Sequence, residues 1–124
     1  MKIVKIDSIG IEFDNGAKLT HFHYQDCCEN VYADWKNIQV LTKIGRNSIS
    51  TEELDFDENL TEHILGLKGV GFVLEDKNGI QLFVSCYNQQ NGYYSSDLEL
   101  IYTDSNHITT EIDITECVRD EIDW

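Results

Sequence analysis

The chain has 124 residues, 41% of them hydrophobic, with 23 acidic against 9 basic side chains and a formal net charge of −14. That length and apolar content suit one folded domain over residues 1–124 with a single core, and they argue against a disordered chain. The charge argues against direct nucleic-acid binding, which needs a basic surface to displace counterions, and against an anionic membrane surface.

The first residues, Met1-Lys2-Ile3-Val4-Lys5-Ile6-Asp7, lack the apolar run and small-residue cleavage site of a secretory signal, so a cytoplasmic protein is expected. Residues 8–13 place Ile9, Ile11 and Phe13 on one face of a strand. Asn15-Gly16 follows as a type I′ turn signal, and residues 17–24 return as a second strand.

The end of that strand is the most unusual stretch: His21-Phe22-His23-Tyr24-Gln25-Asp26-Cys27-Cys28-Glu29. On a strand, His21 and His23 share a face about 7 Å apart. With Cys27 and Cys28 they supply donors for zinc or iron, since imidazole and thiolate favour borderline metals. The same types would also serve a thiol-dependent site, a cysteine beside a histidine base. A disulfide between neighbouring cysteines closes a strained ring, so two reduced thiols are expected. The structural alternative is a strand-end turn whose polar side chains bind backbone, with the cysteines near the core and the histidines on a solvated face. No Cys-x-x-Cys or His-x-x-x-His spacing is present to favour the metal.

Further along, residues 34–41 read as a short helix capped by Asp34, although Ile38-Gln39-Val40 would suit a strand as well. Residues 58–66 read as one or two helical turns ended by Gly66. Residues 71–75 lead into a second Asn-Gly turn at Asn78-Gly79, and residues 80–87 form the most hydrophobic strand. Cys86 within it and Cys117 near the end read as buried small hydrophobes. Asn91-Gly92 gives a third turn signal, and residues 93–102 alternate with Leu98, Leu100 and Tyr102 on one side. Adjacent Tyr93 and Tyr94 face opposite ways, so one is free to act as an interface anchor; a hairpin held by aromatic contacts is the alternative. Residues 107–114 alternate again, and residues 115–122 suggest a short final helix. The expected fold is α+β, dominated by a roughly six-stranded, mostly antiparallel sheet with two or three short helices.

Acid groups cluster twice. Glu52, Glu53, Asp55, Asp57, Glu58 and Glu62 fall in one stretch without a Lys or Arg, and Glu111, Asp113, Glu116, Asp120, Glu121 and Asp123 fall in another with Arg119 alone. A basic protein partner suits such a surface, which would imitate a phosphate backbone and steer association. Asp55, Asp57, Glu58 and Glu62, with Tyr93 and Tyr94, are the candidate contacts. The Asp-x-Asp-x-Asp-Gly spacing of a calcium loop is missing, as are a phosphate-binding Gly-rich loop and a nucleophile elbow. The chain therefore reads as non-enzymatic.

The pattern His23-Tyr24-Gln25-Asp26-Cys27-Cys28-Glu29, together with Asn91-Gly92-Tyr93-Tyr94-Ser95 after the most apolar strand, resembles the signature of an uncharacterised family of small phage and bacterial proteins. The chain departs from that pattern between Trp35 and Asp57. The resemblance implies no reaction or cofactor. It implies a phage or mobile-element setting, and that the two motifs meet in space.

Overall fold

A computed structural model describes residues 1–24, 30–41, 50–90 and 97–122. Two sheets enclose one core. The first holds β1 (Ile3–Ile6), β2 (Gly10–Phe13), β3 (Lys18–Phe22), β9 (Glu99–Thr103) and β10 (Thr109–Asp113), hydrogen-bonded in the order β1-β2-β3-β9-β10. All its pairings are antiparallel. The second sheet is organised on the ten-residue strand β8 (Gln81–Gln90). Along one side β8 pairs with β7 (Gly71–Glu75) and, further on, in parallel with β11 (Arg119–Ile122). Along the other it pairs with β5 (Gln39–Leu41) and β4 (Asn30–Ala33), while β6 (Ile64–Leu67) pairs with the far side of β7.

Period-two alternation sets the inner faces. Ile11, Phe13, Leu19, Leu98, Leu100 and Tyr102 of the first sheet meet Phe72, Leu74, Leu82, Val84 and Cys86 of the second in one continuous cluster. Trp35 and Phe56 plug it from the connecting segments, each edge-on to a phenylalanine at 5.7 Å.

The fold is thus β-rich, and the three expected helices are replaced by 3-10 turns that run straight into extended backbone. Trp35–Asn37 is followed by Ile38 at φ −61°, ψ 135° and then β5. Leu60–His63 leads into β6, and Thr115–Cys117 into β11. Trp35 and Leu60 stay in the turns as buried plugs, and the apolar residues that follow enter short strands: β5 and β11 pair with the distant β8, and β6 with the adjacent β7. Gly66 does not end a helix; it sits in β6, where an added Cβ would approach Cys117 Sγ to 2.6 Å. Among the described residues no helix is long and apolar enough to cross a membrane.

The hairpins at Asn15-Gly16 and Asn78-Gly79 are where the sequence placed them, but their turns are of another type; the third signal, Asn91-Gly92, lies outside the described residues, between β8 and β9, which belong to different sheets. Asn15 and Asn78 do not have positive φ; only Gly16 (86°) and Gly79 (80°) do. Residues 13–17 and 76–80 form type I turns closed by one left-handed residue, the three-residue loop with a bulge rather than a type I′ turn. Residues 104–108 repeat it without glycine. Asp104 accepts at Oδ1 from the amides of Asn106 and Ile108 (both 2.9 Å), as Asp76 does from Asn78 (2.9 Å) and Ile80 (2.8 Å), and His107 takes the left-handed position at φ 65°.

Candidate functional site

β3 carries His21 on the same face as Leu19, so the ring points inward at the open end of the core rather than to solvent as the structural alternative had it. There Trp35, delivered by the turn after β4, stacks on it at 6.1 Å and donates its indole N–H to His21 Nδ1 at 2.7 Å. An indole nitrogen only donates, so Nδ1 holds a lone pair and a neutral ring carries its proton on Nε2. Burial, and then the neighbouring charge of His23, hold the His21 pKa below the ordinary histidine value. His23 has the opposite arrangement: its Nδ1 lies 2.6 Å from the Asp97 carbonyl oxygen, which only accepts, so Nδ1 donates.

A groove of about 300 Å³ opens beside this pair, lined by Ser8, His21, Asn30, Tyr32, Asp34 and Lys36 among others. Metal ligation through His21 Nε2 would require the ring proton on Nδ1, facing the Trp35 N–H donor to donor. The indole contact and ligation are therefore incompatible. Among the described residues no three His, Cys, Asp or Glu side chains gather as a metal site. Gln25, Asp26, Cys27, Cys28 and Glu29, and with them two of the four expected zinc or iron donors, lie outside the described residues, as do Tyr93, Tyr94 and the Asn91-Gly92 turn. Cys86 and Cys117 are buried thiols, and burial pushes Cys86 up to about 12.

The acidic candidates of the 55–62 stretch do not form one patch of free carboxylates. Asp55 binds the Met1 amino group at 2.8 Å, and that hydrogen bond lowers its pKa. Asp57 accepts from the Asn59 amide at 3.2 Å and sits 3.9 Å from His63 Nε2. The carbonyl of Glu58 accepts from the Tyr102 hydroxyl at 3.0 Å, whereas the Glu58 and Glu62 residues themselves are exposed.

A different acidic group is assembled by register. On the outer face of the first sheet, Glu99 stands opposite Phe22 on β3 and opposite Asp113 on β10, and Ile101 stands opposite Glu111. Like charges directly across a strand pair repel. Among the described residues no ion pair reaches Glu99, Glu111 or Asp113. Lys18 is on this face, but opposite Thr103, four residues along β9 from Glu99. Asp113 accepts from the Thr115 hydroxyl at 2.6 Å and from its amide at 3.0 Å, and those bonds hold its carboxyl below the usual range. Phe22, 49% exposed, borders the row. Glu111 and Asp113 were visible in the sequence as acids and Glu99 as an outward residue; their juxtaposition comes only from strand register.

No curated protein and no solved structure matches the chain. One family model does, that of a domain of unknown function, DUF7448, over residues 1–100, which takes in β1 to β8 and the first residues of β9. With four-fifths of its length in that match, the chain belongs to the DUF7448 family.

Proposed function

We propose that this protein is a non-catalytic binding module that engages a basic protein partner through its acidic surface, with Glu99, Glu111 and Asp113 as the centre of contact. The observation that carries this reading is the cross-strand apposition of Glu99 and Asp113, with Glu111 one step along and no cation among the described residues to neutralise them. Such a row costs stability in the free protein, and a basic partner relieves the repulsion on binding. A net charge of −14 supports the reading by speeding encounter with such a partner at low salt. A protein whose basic groove normally holds nucleic acid is the partner class that this charge suits. Action in the cytoplasm, in a phage or mobile-element setting as an inhibitor of host defence, is consistent with it.

The test compares two variants of equal net charge: Glu99→Gln with Glu111→Gln and Asp113→Asn, and Glu52→Gln with Glu58→Gln and Glu62→Gln. Binding to a lysine-rich protein is measured for both across a salt series. Selective weakening of the first variant, with a shallower salt dependence, supports the assignment. Equal weakening of both would mean that net charge alone is felt, and selective weakening of the second would move the surface to the 52–62 segment; either result overturns the proposal.

A further inference from the structure

Glu111 and Asp113 of the acidic row lie on β10, a sheet edge that no other described strand covers. β10 is the last strand of its sheet, paired with β9 over five residues from Thr109↔Thr103 to Asp113↔Glu99 without a bulge. The flanking hydrogen bonds fix which of its backbone groups are used. Asp104 N–H donates to the Ile108 carbonyl at 3.0 Å, and Ile114 N–H donates to the Leu98 carbonyl at 2.9 Å. Hydrogen-bonded pairs alternate in an antiparallel ladder, so residues 108, 110, 112 and 114 are the ones that bond β9. The amides and carbonyls of Thr109, Glu111 and Asp113 therefore point away from the sheet, and these three residues are exposed.

Natural edges are blunted by lysine, proline, a bulge or a covering segment. The opposite edge of this sheet is treated that way: Lys2 bridges Asp55, and Phe56 N–H donates to the Met1 carbonyl at 2.7 Å. Among the described residues nothing comparable guards residues 109–113. Their side chains select the occupant. A second copy laid antiparallel on this edge would set Glu111 against Glu111 or against Asp113, which repel. A strand with Lys or Arg at every second position would instead place its cations beside Glu111 and Asp113. The residue between them would fall opposite Ile112, a half-buried side chain packed on the core rim, where an apolar group is favoured.

We infer that β10 is a docking edge that takes an extended basic segment of a partner protein as a sixth strand of this sheet, with a pattern of basic, apolar, basic residues. The inference rests on the reading of the acidic surface given above and adds to it the partner's conformation and sequence pattern. β-strand addition draws affinity from main-chain hydrogen bonds and specificity from alternate side chains.

The experiment uses the full chain and a synthetic peptide with lysine at every second position and valine or threonine between. A second peptide of the same sequence has the edge-facing amides N-methylated. Affinities are read by fluorescence anisotropy, and amide hydrogen exchange is followed at Thr109, Glu111 and Asp113. Expected results are exchange protection at those three amides, and a loss of about tenfold or more in affinity on N-methylation, the equivalent of two or so lost hydrogen bonds. Glu111→Gln with Asp113→Asn is expected to weaken the unmodified peptide about fivefold or more, as for two partly screened pairs. If N-methylation has no effect while the charge variant weakens binding, strand addition fails and the acidic-surface reading survives. If neither change matters, both fall. Absence of peptide binding, or of exchange protection, overturns the docking edge alone.

Discussion

Trp35 donates its indole N–H to His21 Nδ1 across the open end of the core, joining the turn after β4 to the inner face of β3. The bond requires the lone pair on Nδ1, and burial disfavours the charged ring, so folding depresses the His21 pKa. An unfolded histidine titrates near 6.5. Above that pH both states are neutral and the full stability is present. As the pH falls below it, the unfolded chain binds the proton first, and stability is lost down through the folded pKa. The stability difference between wild type and His21→Asn, which keeps an acceptor at the Nδ1 position, is expected to move in favour of the variant between pH 7 and 5. NMR titration of the ring is expected to give a midpoint below that of a free histidine. Trp35→Phe strands the Nδ1 acceptor and is expected to cost about 1–3 kcal/mol in chemical denaturation.

His107 occupies the backbone position that Gly79 and Gly16 occupy in the two other turns of this type. A left-handed conformation costs a residue with a Cβ roughly 1–2 kcal/mol, partly offset in glycine by greater unfolded-state freedom. His107→Gly is therefore expected to stabilise the protein by about 0.5–1 kcal/mol, and Gly79→Ala to destabilise it by a similar amount, both read from denaturation midpoints.

Asp76 is a buried carboxylate that accepts from three amides, those of Asn78, Ile80 and, at 3.3 Å, Asp55. It closes the β7–β8 turn and ties it to the segment that seals the β1 edge. Asp76→Ala leaves three amides short of a partner and is expected to cost about 2–4 kcal/mol. Asp104→Ala, in the half-buried counterpart turn with two such bonds, is expected to cost about 1 kcal/mol. Equal losses would show that burial is not what separates the two turns.

Cys86 is enclosed between the sheets with its thiol pushed up to about 12, first by burial and then by Cys117, whose own thiol burial also raises. At pH 8 a thiol with a pKa near 12 is ionised in only about one molecule in ten thousand. In the native protein Cys86 and Cys117 are expected to resist iodoacetamide while a denatured sample reacts fully, as peptide mass spectrometry would show.

The β2–β3 and β7–β8 hairpins were legible because Asn-Gly pairs and period-two alternation are local signals, whereas the same pair at Asn91-Gly92 stands between β8 and β9, which belong to different sheets. Leu98, Leu100 and Tyr102 face the core as their spacing required. The turn type was not legible, since Asn-Gly serves both a two-residue turn and a three-residue loop. Nor was the third turn of this kind, which has His107 where the signal expects glycine. The short 3-10 turns imitated helix starts because Asp34 and Thr115 are residues that cap helices, and three or four residues are too few to establish a period. Pairings between distant segments, such as Arg119 beside Tyr87 in parallel, have no local mark. For the same reason the acidic residues were visible one by one, whereas the alignment of Glu99 with Asp113 required the register of β9 and β10.

The four-way partnership of β8 dictates an order of events during synthesis. β5 finds its neighbour only after residues 81–83 have emerged and β4 only after residues 86–89, and β11 can add only once residues 119–122 follow. Until then their backbone groups wait unsatisfied, so the nascent chain is most exposed to mispairing in the interval before its central strand arrives.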